Sequence, residues 1–262
     1  MSPAPAVISV SPHPDDEIVG AGATLLELRD AGWRVVNLAC SLGRPPDRIR
    51  RRAELVEACR IARFELVIAP GMPPIGSGDD LAVAQTALST AITDLRRQSG
   101  AQLIVGPSPH DGHHGHEVVG RAIRDAVEAG GEPLDVMFWG LWSDLPVPNV
   151  LVEFGAARLH ELQDALGAHA RELARNRLDR LVESRATANA LLGAERVFGF
   201  GLPGAQCEYA ELLTLVSWRP ERGWRLPRSR SFDPSSPTAE GEGPDIGWWL
   251  HAPSVRSSLR RE

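Results

Sequence analysis

Short β-branched apolar runs alternate along the chain with longer segments whose apolar residues recur at helical spacing. The short runs predict strands at residues 6–10, 34–39, 66–69, 102–105 and 136–141. The longer segments predict helices at residues 18–28, 48–62, 81–97, 117–128 and 156–185. Because parallel neighbouring strands need long crossover connections, this alternation predicts an α/β fold. We expect a Rossmann-like, doubly wound, mostly parallel sheet with helices on both faces.

This alternating pattern ends near residue 219, where arginine, proline, serine and glycine become frequent. Too few apolar residues follow to offset the entropy of ordering the chain. We therefore expect one domain over residues 1–218 and a partly disordered tail over residues 219–262. Trp248 and Trp249 are the tail residues best suited to dock on the body.

The composition narrows the possible partners and compartments. Apolar residues make up 43% of the 262 residues, which is enough for a globular core. With 28 basic and 34 acidic side chains, the net charge of −6 provides no basic surface, so we expect no nucleic-acid partner. The three cysteines are widely spaced, and no apolar run approaches the ~20 residues of a membrane span. These features predict a cytoplasmic protein without a transmembrane segment.

Ligand-type side chains concentrate directly after the first predicted strand, in the sequence S-P-H-P-D-D-E of residues 11–17. α/β folds place their sites at the carboxyl ends of strands. If a helical turn begins at Asp16, then His13 and Asp16 face the same point, while Asp15 is rotated by ~100° from its neighbour. One imidazole and one carboxylate are two of the three protein ligands of a catalytic zinc site.

A second concentration follows the strand at residues 102–105, where one loop carries four of the eight histidines. His113 and His116 in this loop repeat the spacing of three residues, so one of them can bind metal while the other faces the substrate. We predict a metal site of His13, Asp16 and His116 with a fourth position open for water. The expected cofactor is Zn²⁺, although Fe²⁺ suits the same ligands.

Such a site predicts amide hydrolysis. A bound metal polarises a carbonyl and lowers the pKa of its water from 15.7 towards ~7. Asp15 would take the proton of this water as a general base and return it to the departing amine. A protonated His113 would stabilise the oxyanion, and Asp111 would orient the His113 ring.

The two motifs resemble those of the PIG-L (LmbE-like) deacetylases, which share H-P-D-D-E after the first strand and D-x-H-P-D-H later. The likeness spans about residues 7–212 and implies a zinc-dependent deacetylase domain that acts on an N-acetylated amino sugar or sugar conjugate. It assigns metal binding to His13, Asp16 and His116, catalysis to Asp15 and His113, and contact with the substrate hydroxyls to Arg51. The chain departs from the family pattern at His114, where proline is usual, and at Gly115, where aspartate is usual. We expect these changes to reduce activity or shift it to another acyl group.

Other interpretations remain open. Two histidines and a carboxylate also form the facial triad of non-haem iron enzymes, and a catalytically altered metal- or sugar-binding protein would keep the same ligands. A dinucleotide site is disfavoured, because the third glycine of G-x-G-x-x-G would fall at Leu25.

Trp142 flanks a predicted strand and is assigned to the core. Asp80 is predicted to cap a helix, and Glu211 suits a structural or a functional role equally.

Overall fold

The computed structural model describes residues 4–71, 73–204, 206–239 and 241–253. Its strands form one mixed, mostly parallel sheet, in which β3, β2, β1, β4 and β5 are parallel neighbours in that order. The order then continues through β7, β6 and β9, with β8 paired to β7. The strands are β1 Ala6–Ser11, β2 Arg34–Ala39, β3 Glu65–Ile68, β4 Leu103–Pro107, β5 Leu134–Trp139, β6 Val150–Phe154, β7 Tyr209–Arg219, β8 Gly223–Arg225 and β9 Arg230–Ser231.

Helices cover both faces of this sheet. They are α1 Asp16–Val19, α2 Gly22–Asp30, α3 Arg48–Ala62, α4 Leu81–Ser99, α5 His114–Gly130, α6 Ala156–Gly167, α7 Ala170–Asn176, α8 Leu178–Phe198 and α9 Gly247–Leu250. On one face, Val7 of β1 shares a core with side chains of α2, α3 and α6. On the opposite face, Ile8 packs with α4 and α5, as the alternation of side chains along a strand requires. The predicted α/β fold is confirmed.

Two predicted helices are interrupted in the structure. The helix expected over residues 18–28 is divided into α1 and α2 around Gly20, where a Cβ would overlap the Trp139 ring. The long helix expected over residues 156–185 is three helices, α6, α7 and α8. His169 lies at the first break, and Arg177 ends α7 with a left-handed φ of 47°. Tertiary contacts rather than local propensity set these breaks.

The segment that follows residue 218 packs on the body over its described ranges, 219–239 and 241–253. β8 and β9 extend the sheet, and Trp224 and Trp249 are buried, whereas Trp248 is 67% exposed. Buried tryptophans provide apolar area that the average composition of this segment does not reveal. Residues 254–262 of the expected tail lie outside the described residues, and the domain boundary at residue 218 stays a prediction. Within the described ranges, no helix combines the length and the apolar character needed to cross a bilayer.

Glu211 of β7 has a structural contact that the sequence left undecided. Its carboxylate accepts hydrogen bonds from the backbone N–H groups of Ala23 and Thr24, at 2.8 and 2.9 Å, and from the Thr24 hydroxyl at 2.6 Å. These donors lie in the first turn of α2, where backbone N–H groups have no partner within the helix. Glu211 therefore caps α2. Asp80 likewise caps α4, as predicted, by accepting from Ala82 and Val83.

Replacing Glu211 with alanine is expected to lower the free energy of unfolding by about 1–3 kcal/mol, because three donors lose a charged acceptor. Urea denaturation followed by circular dichroism measures this change. Glu221→Ala, in the exposed turn between β7 and β8, is the control and should leave the unfolding midpoint unchanged. Equal losses in the two variants would contradict the capping role.

Candidate metal and catalytic site

The first ligand cluster lies where β1 ends, at the carboxyl edge of the sheet. The Asp16 carboxylate accepts a hydrogen bond from the His13 backbone N–H at 2.8 Å and lies 3.2 Å from His13 Nδ1. Asp16 is 4% exposed at the start of α1, so its carboxylate turns inward over His13. Asp15 precedes it with φ 112°, a left-handed conformation that is rare for a residue with a side chain.

The second cluster meets the first because β1 and β4 are parallel neighbours whose carboxyl ends lie side by side. His116, in the first turn of α5, places Nε2 3.4 Å from the Asp16 carboxylate. The rings of His13 and His116 have centroids 5.6 Å apart. The structure thus brings together the three residues expected to bind metal.

His113 adds a fourth possible donor to this group. One nitrogen from each of His13, His113 and His116 lies within 4.8 Å of the other two, close enough to share an ion. Among the described residues, nothing hydrogen-bonds the buried His113 Nδ1. Gly115 allows this packing, since a Cβ there would lie 2.9 Å from His13 Cε1 and 3.3 Å from His113 Cε1. Three imidazoles are donors that suit a divalent transition metal, and the Asp16 carboxylate lies beside two of them, His13 and His116.

Asp111 contacts a histidine of the cluster, but this partner differs from the one expected. Its Oδ2 lies 2.7 Å from His116 Nδ1, whereas we expected it to orient His113. The first turn of α5 carries the His116 ring back over Asp111, while His113 precedes the helix in an extended conformation. The other oxygen of Asp111 accepts from the backbone N–H groups of Leu141 and Trp142. Asp111 therefore joins the metal cluster to the loop after β5.

The charges of the cluster are strongly perturbed. Burial raises the pKa of Asp15 well above its usual value, aided by the neighbouring carboxylates of Asp16 and Glu17 and opposed by Arg51. Burial also lowers the pKa of His113 to about 3, with a further contribution from the nearby histidines. His113 is therefore neutral near pH 7, which differs from the protonated form that we expected.

Asp16 and His116 are perturbed in opposite directions. Burial opposes the charge on both groups, but their mutual attraction outweighs it, so the pKa of Asp16 falls and that of His116 rises to about 10. Asp111 adds to the increase at His116. These carboxylates favour a positive charge at the cluster, as a metal site requires.

A cleft opens over the cluster, and its walls include residues that sequence reasoning missed. Arg51 lines it as expected, donating to the Pro14 carbonyl at 3.2 Å and lying 3.9 Å from Asp15 Oδ2. Glu172 of α7 lies 4.0 Å from Arg51 on the same wall.

Trp142 was assigned to the core, but it is 58% exposed and lines the cleft. Its ring lies nearly parallel to that of His113, with centroids 6.0 Å apart. No spacing in the sequence relates Trp142 or Glu172 to the two motifs.

Family comparison agrees with this geometry. Residues 8–127 match the family model of PIG-L, described as GlcNAc-PI de-N-acetylase. This part of the chain is therefore similar to the PIG-L domain. The match contains both motifs and every residue of the metal cluster, so the resemblance inferred from the sequence is confirmed. No curated protein matches the chain by sequence.

Solved structures with a similar fold include enzymes of more than one kind. The zinc-inhibited form of teicoplanin deacetylase Orf2 is 15% identical, with a TM-score of 0.61 over 81% of this chain and 98% of that chain. The N,N'-diacetylchitobiose deacetylase of Pyrococcus horikoshii is 15% identical, with a TM-score of 0.59 over 81% and 84%. GalB, the 4-carboxy-2-hydroxymuconate hydratase of Pseudomonas putida KT2440, is 16% identical, with a TM-score of 0.59 over 86% and 98%. Such identities show a shared fold, so the reaction has to be argued from the site.

Proposed function

We propose that this protein is a zinc-dependent amidohydrolase that removes an acetyl group from an N-acetylated amino sugar or sugar conjugate. The observation that carries the proposal is the position of Asp15, whose carboxylate lies in the same cleft as the cluster of His13, Asp16, His113 and His116. The PIG-L match supports the reaction class, and the deacetylases among the structural neighbours support an amino-sugar substrate.

His13, Asp16 and His116 are the residues that we propose to hold the metal, with His113 directed to the substrate. A bound zinc ion supplies Lewis acidity towards the amide carbonyl and makes water a stronger acid. Two histidines and one carboxylate are a common catalytic zinc shell, and Asp111 orients the ring of His116. Iron suits the same donors, so elemental analysis of protein purified without added metal decides the identity of the ion.

Asp15 is the proposed general base. Its carboxylate would accept a proton from the attacking water and then deliver that proton to the nitrogen of the departing amine. Burial and the nearby carboxylates raise its pKa, which strengthens it as a base near neutral pH. Arg51, 3.9 Å away, limits this increase and has donors for the hydroxyls of a sugar.

His113 is the proposed oxyanion-stabilising residue. It is neutral near pH 7, and a neutral imidazole still donates one N–H to a developing negative charge. The alternative of a catalytically altered metal- or sugar-binding protein rests on Gly115, which stands where aspartate is usual in the family that the motifs resemble and lies close to the rings of His13 and His113. Turnover of any N-acetylated sugar would exclude this alternative.

The cytoplasm is the proposed location. None of the three cysteines, all of which lie within the described ranges, forms a disulfide, as a reducing compartment requires. The proposed partner is a small-molecule sugar conjugate rather than a nucleic acid, in keeping with the net charge of −6.

The direct test is a screen of N-acetylated sugars and sugar conjugates for release of free amine by the zinc-loaded protein. We expect at least one glucosamine conjugate to be deacetylated, and we expect chelation to abolish the activity. A zinc-loaded, folded protein that releases amine from no member of a broad panel would contradict the proposal.

Trp142 is expected to bind the apolar face of a sugar ring, because it is an exposed aromatic ring on the wall of the cleft. Trp142→Ala should raise KM about tenfold, which corresponds to ~1.4 kcal/mol, and change kcat much less. Trp248→Ala is the matched control, since Trp248 is 67% exposed on α9 and is not part of the cleft wall. An unchanged KM for Trp142→Ala would show that this ring does not contact the substrate.

A further inference from the structure

Asp15 is held in its unusual backbone conformation by a buried carboxylate. Its φ of 112° lies in a region that residues with a side chain rarely adopt. The Asp15 N–H donates to Glu17 Oε2 at 2.9 Å. Hydrogen bonds to a charged acceptor are among the stronger ones in proteins. The Glu17 carboxylate therefore opposes relaxation of the backbone that carries the Asp15 side chain.

His169 holds the other oxygen of this carboxylate. Its Nε2 lies 2.7 Å from Glu17 Oε1, and both side chains are fully buried. The two residues are 152 positions apart, so only the fold brings them together. Neither side chain lines the cleft, and neither is part of the group that could share a metal ion. Their hydrogen-bonded contact with the site is through the backbone N–H of Asp15.

His169 is itself anchored at the start of α7. Its backbone N–H donates to the Leu166 carbonyl at 3.0 Å, and its carbonyl accepts from the Leu173 N–H at 3.0 Å. α7 also supplies Glu172 and Asn176 to the cleft wall. The ring of His169 thus joins a wall of the cleft to the segment that carries the proposed base.

We propose that Glu17 and His169 form a positioning pair that fixes the backbone of Asp15 and thereby aims its carboxylate at the reacting atoms. This inference rests on the proposed function for the catalytic role of Asp15. Without a donor from His169, the Glu17 carboxylate turns away from the Asp15 N–H, and the backbone at Asp15 is free to leave the left-handed region. The metal-binding side chains keep their own contacts, since Asp16 and His116 bond to each other and to other partners.

The test compares His169→Leu with His169→Gln in the zinc-loaded protein. Leucine fills the site but donates no hydrogen bond, whereas the Gln amide places a donor close to the position of Nε2. We expect His169→Leu to lower kcat roughly 10- to 100-fold with KM and zinc stoichiometry unchanged, and His169→Gln to recover most of the loss. His160→Ala, an exposed histidine on α6, is the control and should match the wild type.

A second readout needs no substrate. Hydrogen exchange of the Asp15 amide, followed by NMR, should accelerate by roughly tenfold or more in His169→Leu and return towards the wild-type rate in His169→Gln. If the wild type shows this protection but deacetylates nothing, the proposed function fails while the positioning pair stands. Unchanged exchange at Asp15 in His169→Leu, or equal loss of kcat in the leucine and glutamine variants, would overturn the positioning pair.

Discussion

Asp15→Asn is expected to lower kcat by about 10²- to 10⁴-fold, the usual contribution of a general base. Asparagine has nearly the same shape, and its amide oxygen still accepts hydrogen bonds, but it does not take a proton at neutral pH. Metal binding should persist because the side chains of His13, Asp16 and His116 are untouched. Acetate release measured together with zinc content separates a loss of chemistry from a loss of metal.

The control for this variant is Asp94→Asn, an exposed acid on α4 that is not part of the cleft wall. It should match the wild type in rate and in zinc content. If the zinc-loaded Asp15→Asn protein were fully active, Asp15 would not be the general base, and another group in the cleft would have to accept the proton.

His116→Ala is expected to remove the metal along with the activity. His116 is 2% exposed and lies between the carboxylates of Asp16 and Asp111, so its truncation removes a buried imidazole donor from the proposed metal site. The loss of zinc affinity should exceed the roughly 10- to 100-fold that is typical when an outer-shell partner is removed. Asp111→Asn supplies that comparison, because it removes only the carboxylate behind His116. Calorimetric titration with zinc measures the zinc affinity of His116→Ala and of Asp111→Asn.

His113→Ala decides which histidines bind the ion. If His13, Asp16 and His116 are the ligands, zinc affinity should change little while kcat falls by about 10²- to 10³-fold, as for the loss of an oxyanion contact. His160→Ala controls for the removal of any histidine. Full zinc occupancy in His116→Ala, with loss of zinc in His113→Ala, would show that His113 and not His116 is the third metal ligand.

Much of this site was predictable because its residues lie close together in the sequence. His13, Asp15 and Asp16 follow one strand, and His113 and His116 follow another, and the carboxyl ends of parallel strands meet at one edge of a sheet. The position of Arg51 in the cleft followed from the family resemblance, since a run of arginines at the start of a helix is otherwise typical of a solvated surface.

Residues without a local motif could not be found in this way. Trp142 follows a buried strand, and its position gave no sign that the loop after β5 turns it towards His113. The partner of Asp111 was predicted incorrectly because short separation along the chain favoured His113, whereas the helical turn of α5 brings His116 to it. His169 and Glu17 meet only after α6 packs against α1 and α2.

Alternating apolar runs and two dense polar motifs were sufficient to predict the α/β fold and the edge of the sheet at which the histidines and carboxylates of the candidate site gather, because periodicity and spacing are local properties. The breaks in the helices, the burial of Trp224 and Trp249, the partner of Asp111 and the contact of His169 with Glu17 required the packed structure. Each depends on side chains distant in sequence, and their packing outweighs the local propensities from which sequence reasoning starts.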